Sequence, residues 1–223
     1  MIMSCLKLKD FNKIFLLVFV FAAVLSACNG GGKKLPILGE RDAVKKIVNG
    51  EEVVDTIYNT IPPFSFTNQY GDTISEKIVE GKIYVTDFFF TSCPTICPVM
   101  KRQMVKVYKE FKDNPDVMIL SHTIDPEHDT PKVLNTFAKD LGVEGQQWQF
   151  LTGPKEDIYA LGQRSYLSAA QEDKTAEGGF LHSGAFILID KEKHIRGMYD
   201  GTTDEGTQKL MRDMTILLEE YKK

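Results

Sequence analysis

The stretch Thr91-Ser92-Cys93-Pro94-Thr95-Ile96-Cys97-Pro98-Val99-Met100 decides the reading of this chain, because it joins an apolar, strand-like run to an amphipathic helix through two cysteines. A three-residue spacer sets Cys93 and Cys97 one helical turn apart, with Cα atoms about 6 Å from each other if a helix starts near Cys97. That separation suits a disulfide or a shared soft metal ion. Pro98 fits the first helical position, where no N–H is needed, so Cys97 falls at the helix N-terminus and Cys93 in the loop ahead of it. The positive end of the helix dipole favours a thiolate there. A plain structural disulfide is the competing reading. Structural zinc is disfavoured, since it needs four N/S ligands and the chain beyond residue 28 has only these two cysteines and four scattered histidines.

Upstream, Ile83 to Phe90 is a β-branched and aromatic run of the kind that forms a buried central strand. Asp87 is out of place in it. A carboxylate in mid-strand is costly to bury, so it requires a hydrogen-bonding partner, a position at an edge, or a functional role. Downstream, Met100, Met104, Val107, Tyr108 and Phe111 recur at helical spacing, with Lys101, Arg102, Lys106 and Lys109 on other faces. Met100 and Met104 are therefore read as core residues before they are read as metal ligands.

At the N-terminus, Lys7, Lys9 and Lys13 precede an apolar stretch from Ile14 to Leu25 that is too short for a membrane span, for which about 20 residues are needed. It reads as an export signal, and Leu25-Ser26-Ala27-Cys28 resembles the bacterial lipoprotein lipobox. That resemblance implies a signal peptide over residues 1–27, lipid on Cys28 and an extracytoplasmic domain held to a bacterial membrane. Residues 28–50 read as a flexible tether, disordered to about Glu40, and residues 51–223 as the domain. Loss of the signal leaves 196 of the 223 residues, enough for a sizeable core without disulfide staples. Its three lysines and one aspartate take the formal charge from −4 to −6. With no basic cluster, nucleic acid is not a partner.

Val53 to Ile57 and Phe64 to Thr67 are short strands, with a turn at Gln69-Tyr70-Gly71-Asp72, giving an N-terminal β-hairpin ahead of the main fold. Val117 to Thr123 is the strand after the cysteine helix, and Thr130-Pro131 caps a helix marked by Leu134, Phe137, Ala138 and Leu141. Trp148 to Leu151 is a strand, and Gly153-Pro154 opens a helix to about Tyr166. Ser168 to Gly179 is polar and read as a mobile loop. Leu181-His182-Ser183-Gly184 then leads into the strand Ala185 to Asp190, a turn, and the strand His194 to Tyr199. A capping pattern at Thr202-Thr203-Asp204-Glu205 starts the last helix. The order implies an α/β fold, a mixed sheet with helices on both faces, whose chemistry sits at the carboxyl ends of strands.

The cysteine motif, Thr123-Ile124-Asp125-Pro126-Glu127-His128-Asp129-Thr130-Pro131, and Leu181-His182 before a strand ending Leu188-Ile189-Asp190 together resemble the SCO/SenC family of thioredoxin-like, copper-binding proteins, from roughly Ile61 to Tyr221. The resemblance implies that Cys93, Cys97 and His182 bind copper and that the protein helps assemble the dinuclear copper centre of cytochrome c oxidase subunit II. His182 is preferred because it falls at the loop-to-strand junction that this fold brings beside the cysteines, whereas His122 is mid-strand and His128 and His194 look exposed. The chain departs from the family where Thr95 replaces a common acidic residue between the cysteines. Asp87, six residues before Cys93, has the spacing of the buried proton-accepting aspartate of thioredoxins, expected to have a raised pKa and to accept the proton of Cys97. Three classes thus stay open: copper metallochaperone, thiol-disulfide reductase with Cys93 as nucleophile, and an interaction module with an inert disulfide.

Overall fold

Ile83–Phe89 (β5) is a strand because seven consecutive residues are β-branched, aromatic or short, and all seven are buried. It is an interior strand, third from one edge, of a seven-stranded sheet in the computed structural model, which describes residues 34–173, 175 and 179–222. The export signal and Cys28 lie outside the described residues. β5 pairs in parallel with Val117–Thr123 (β6), Ile83 opposite Val117 and Phe89 opposite Thr123, and β6 pairs in parallel with Trp148–Thr152 (β7). Antiparallel strands complete both sides. Ala185–Ile189 (β10) and Ile195–Asp200 (β11) extend the sheet beyond β5, and Ser65–Asn68 (β3) and Thr73–Ser75 (β4) extend it beyond β7.

The helices follow from their stripes. Ile96–Glu110 (α1) buries Met100, Met104, Val107 and Tyr108, and Pro131–Asp140 (α2) stacks Phe137 on Phe89. Lys155–Ala160 (α3) runs on through a π-helical turn, Leu161–Ser165, that delivers Tyr166 to the opposite face of the sheet, where it meets Phe88 and hydrogen-bonds Tyr84. Asp204–Glu220 (α4), capped by Thr203, closes the chain beside α1 and across β10 and β11. The expected mixed sheet with helices on both faces is thus the one observed.

Three expectations are corrected. The tether reading of residues 28–50 fails from Leu35 onward: Leu35 is buried, its N–H donates to Glu220 Oε1 at 2.8 Å, and Arg196 donates to the carbonyls of Leu35 and Pro36. Arg41–Val48 (β1) is a strand, and it pairs with Glu51–Tyr58 (β2) to form the N-terminal hairpin. The turn is Asn49-Gly50, both with positive φ (54° and 87°), the geometry that favours Asn-Gly between two strands. The segment read as a mobile loop contains Ala170–Glu172 (β8), which pairs with Phe180–His182 (β9). Lys101, assigned by spacing to an outer face of its helix, is 1% exposed.

The β1–β2 hairpin stands clear of the core. Ile47 is 80% exposed and Val54 62%, and the hairpin's base is fastened by the Asn59 N–H to Glu40 carbonyl bond at 3.2 Å. A hairpin that buries so little adds little to stability. Replacing residues 41–58 by a short glycine-rich link should move the melting midpoint by less than about 4 °C, read by calorimetry, and a drop beyond about 10 °C would show that the hairpin supports the core.

His122 tests the interior directly. Its ring is fully buried between Phe64, Phe66, Phe88 and Tyr166, and among the described residues neither nitrogen has a hydrogen-bond partner. Burial, with a smaller push from the Lys101 ammonium, moves its pKa from 6.5 down to about 3. The unfolded chain therefore takes up this proton as pH falls below 6.5 while the folded chain does not, so stability is present at neutral pH and is lost across that window at up to about 1.4 kcal/mol per pH unit. His122→Phe should flatten this part of the dependence, measured by urea unfolding between pH 7 and pH 4.

Candidate functional site

The site begins where β5 ends. Phe90 and Thr91 carry the chain out of the sheet, the Cys93 N–H bonds the Phe90 carbonyl at 3.3 Å, and α1 starts at Ile96. Cys97 is thus the second residue of the helix and Pro98 the third, two positions later than the spacing suggested; at all three the backbone N–H has no partner within the helix, so proline costs nothing there.

Asp129 fixes this exit. Its carboxylate is wholly buried and accepts from the Thr91 N–H at 3.0 Å, from the Thr91 and Thr123 hydroxyls, and faces His128 Nδ1 at 2.9 Å. Asp129 in turn is held by its own N–H to the Asp125 carbonyl at 2.8 Å. The second sequence motif is therefore the brace of the first. The bond to Asp129 raises the pKa of the His128 ring, which is more than half exposed.

Cys93 and Cys97 are both buried thiols. Cys97 donates to the Cys93 sulfur, so the two face each other as the spacing implied. Their environments then separate them. Burial pushes Cys93 up, but hydrogen bonds from the backbones of Cys97 and Thr95 and from both side chains outweigh it, and its pKa lies below the ordinary thiol value. Thr95 Oγ1 lies 3.8 Å from the Cys93 sulfur, a role for the residue that stands where an acidic one is common. Cys97, more deeply buried, is raised well above that value, and the N-terminal dipole argued for it does not overcome the desolvation.

Asp87 is buried, as expected, but it is not an isolated acid. Lys101, one turn beyond Cys97 in α1, places its Nζ 2.7 Å from Asp87 Oδ2, 2.9 Å from Ser121 Oγ and 3.8 Å from the centre of the Phe89 ring. Ser121 donates to Asp87 Oδ1 at 2.5 Å and accepts from Trp148 Nε1 at 2.9 Å. Asp87 is thus one half of a buried, hydrogen-bonded ion pair, a partner that the strand pattern did not reveal. Lys101, Ser121, Trp148, Thr91 and Asp129 are the residues that sequence reasoning missed. The available signal for Lys101 was its i+4 relation to Cys97, which puts both on one helical face.

His182 ends β9, with its Cα opposite Ala170. The strand reaches the cysteine segment at two points that flank this residue: Phe180 packs on Phe90, ring centres 4.9 Å apart, and a Cβ on Gly184 would lie 3.8 Å from Ile96 Cδ1. The main chain at His182 thus runs beside the cysteine turn, whereas His122 and His194 lie elsewhere in the fold.

A model of the SCO1/SenC family matches residues 55–218. The chain belongs to the SCO1/SenC family. Its fold is similar to that of a SCO1/SenC family lipoprotein from Bacillus anthracis, at 34% identity and a TM-score of 0.64, over 71% of this chain and 95% of that one. It is also similar to BsSco, in which a disulfide switch has been identified and which belongs to the Sco family of cytochrome c oxidase assembly proteins (31% identity, TM-score 0.63, 71% and 92% covered). A third solved relative is Arabidopsis thaliana ScoI with copper bound (25% identity, TM-score 0.60, 73% and 100% covered).

The two thiols of this SCO1/SenC chain should react in order. At pH 7 and limiting iodoacetamide, Cys93 should be alkylated at least tenfold faster than Cys97, read by peptide mass mapping, because the thiolate is the nucleophile. Equal rates would mean that the hydrogen bonds to Cys93 do not hold in solution.

Proposed function

We propose that this SCO1/SenC protein binds one copper ion as cargo through Cys93, Cys97 and His182 and passes it to the dinuclear copper centre of cytochrome c oxidase subunit II. The observation that carries this reading is the facing pair of buried thiols at the carboxyl end of β5, with the β9 strand of His182 beside them. Two thiolates and an imidazole form a soft, low-coordinate donor set that suits copper(I) and permits release by ligand exchange. The copper-bound Arabidopsis relative and the oxidase-assembly relative support it. The Leu25-Ser26-Ala27-Cys28 pattern and the lipoprotein relative support an anchor on Cys28 at the extracytoplasmic face of a bacterial membrane.

The division of the two thiols favours a second activity at the same site. A Cys93 thiolate attacks a target disulfide and forms a mixed disulfide, and Cys97 then attacks Cys93 and releases the target as a dithiol, two electrons passing from this chain to the target. Reduction of the target's cysteines would precede metal insertion, so the two activities are compatible.

Titration of the reduced protein under anaerobic conditions, with a chromogenic copper(I) chelator in competition, tests the first reading. One equivalent should bind; Cys93→Ser and Cys97→Ser should abolish binding, and His182→Ala should weaken it at least tenfold. Wild-type affinity in His182→Ala would remove histidine from the site, and cysteine variants that still support oxidase assembly would sink both activities.

A further inference from the structure

The roles assigned above leave unused a charged pair buried one helical turn below Cys97. Lys101 and Asp87 are 1% and 0% exposed, and every polar contact of the ammonium is internal: Asp87 Oδ2, Ser121 Oγ and the face of Phe89. Stability alone does not explain such a pair, since apolar residues of similar volume generally hold a fold as well as a buried ion pair does. The pair is also oriented. Lys101 shares its helical face with Cys97, and the two act on each other through space, the ammonium drawing the thiol towards its ionised form.

The site itself requires a cation. Two thiolates around a singly charged soft cation leave one net negative charge in a place where both sulfurs are buried, and an uncompensated buried charge is costly. We propose that Lys101 is a positioning residue for the thiol pair, its ammonium held below Cys97 by Asp87 and Ser121 to compensate the negative charge that appears when both sulfurs ionise to hold a soft cation. This rests on the copper reading. Asp87 is then the group that keeps the ammonium charged and in place, and Ser121, itself fixed by Trp148, closes the arrangement.

The test compares the double variant Lys101→Met/Asp87→Asn, which leaves no orphaned buried charge, with Lys101→Arg, which keeps a cation beside Asp87. Copper(I) affinity by chelator competition should fall about tenfold in the double variant and stay within about twofold of wild type in Lys101→Arg. The reduction potential of the metal-free thiol pair against glutathione should fall in the double variant by about 30 mV, the equivalent of a tenfold change for two electrons, because the thiolate of the reduced pair loses a nearby counter-charge. A merely structural role moves neither quantity in a cooperatively folded variant. Wild-type affinity and potential in the folded double variant, or an equal loss in folded Lys101→Arg, would overturn the proposal. If the wild-type protein takes up no copper, the copper reading fails by itself, and the potential of the metal-free protein still decides the role of Lys101.

Discussion

A single buried carboxylate holds the working part of this molecule in place. Asp129 gathers the N–H and hydroxyl of Thr91 and the hydroxyl of Thr123, so the ends of the two central parallel strands are tied to one another just where β5 releases the chain. A buried carboxylate that lacked those donors would be costly, so the loop has little freedom to leave it. The cysteine turn inherits its geometry from this constraint: its first residue is fastened at two atoms, and its last lies on a helix whose buried stripe fits the sheet.

Below that brace the interior is less apolar than the strand sequences suggest. A charged pair, a serine and a histidine sit within walls of Phe, Trp and Tyr, and the consequences differ with partnering. Lys101 and Asp87 satisfy each other. His122 has only ring faces for neighbours and stays neutral. The two thiols follow the same rule on a smaller scale, because one sulfur receives hydrogen bonds that outweigh its burial and the other does not. The asymmetry of the pair is thus a property of local donors more than of the helix end at which Cys97 was expected.

How much of this could be read from the chain depends on range. β6 matched its expected span, Val117–Thr123, because patterns of period two and 3.6 are local, and the turn between Asp190 and His194 and the cap at Thr203 were equally plain. The first strand of the expected N-terminal hairpin was missed although Asn49-Gly50 is a strong turn signal, because the strands of this hairpin mix charge with valine and isoleucine and bury almost nothing. β8 was missed because three polar residues acquire strand geometry only through pairing with β9. Lys101 could not be assigned from helical spacing alone, since its burial depends on an aspartate 14 residues earlier on a neighbouring strand. The cysteines and the strand of His182 were legible as motifs, while the residues that brace them were not, their partners lying up to 38 positions away.

The clamp that Arg196 and Glu220 place on Leu35 has a mechanical consequence. Ile189 pairs opposite Tyr84, so Asp190, Arg196 and the pinned Leu35 lie by the start of β5, and the cysteines follow its far end. Seven residues of strand at about 3.3 Å each separate the two ends by about 23 Å. Any force transmitted along the chain from before Leu35 enters the domain at one pole, while the two thiols lie at the other. The rigid sheet between them acts as a lever arm: small changes in angle at the pinned pole sweep the thiols across a wide arc without any change in the domain's internal geometry.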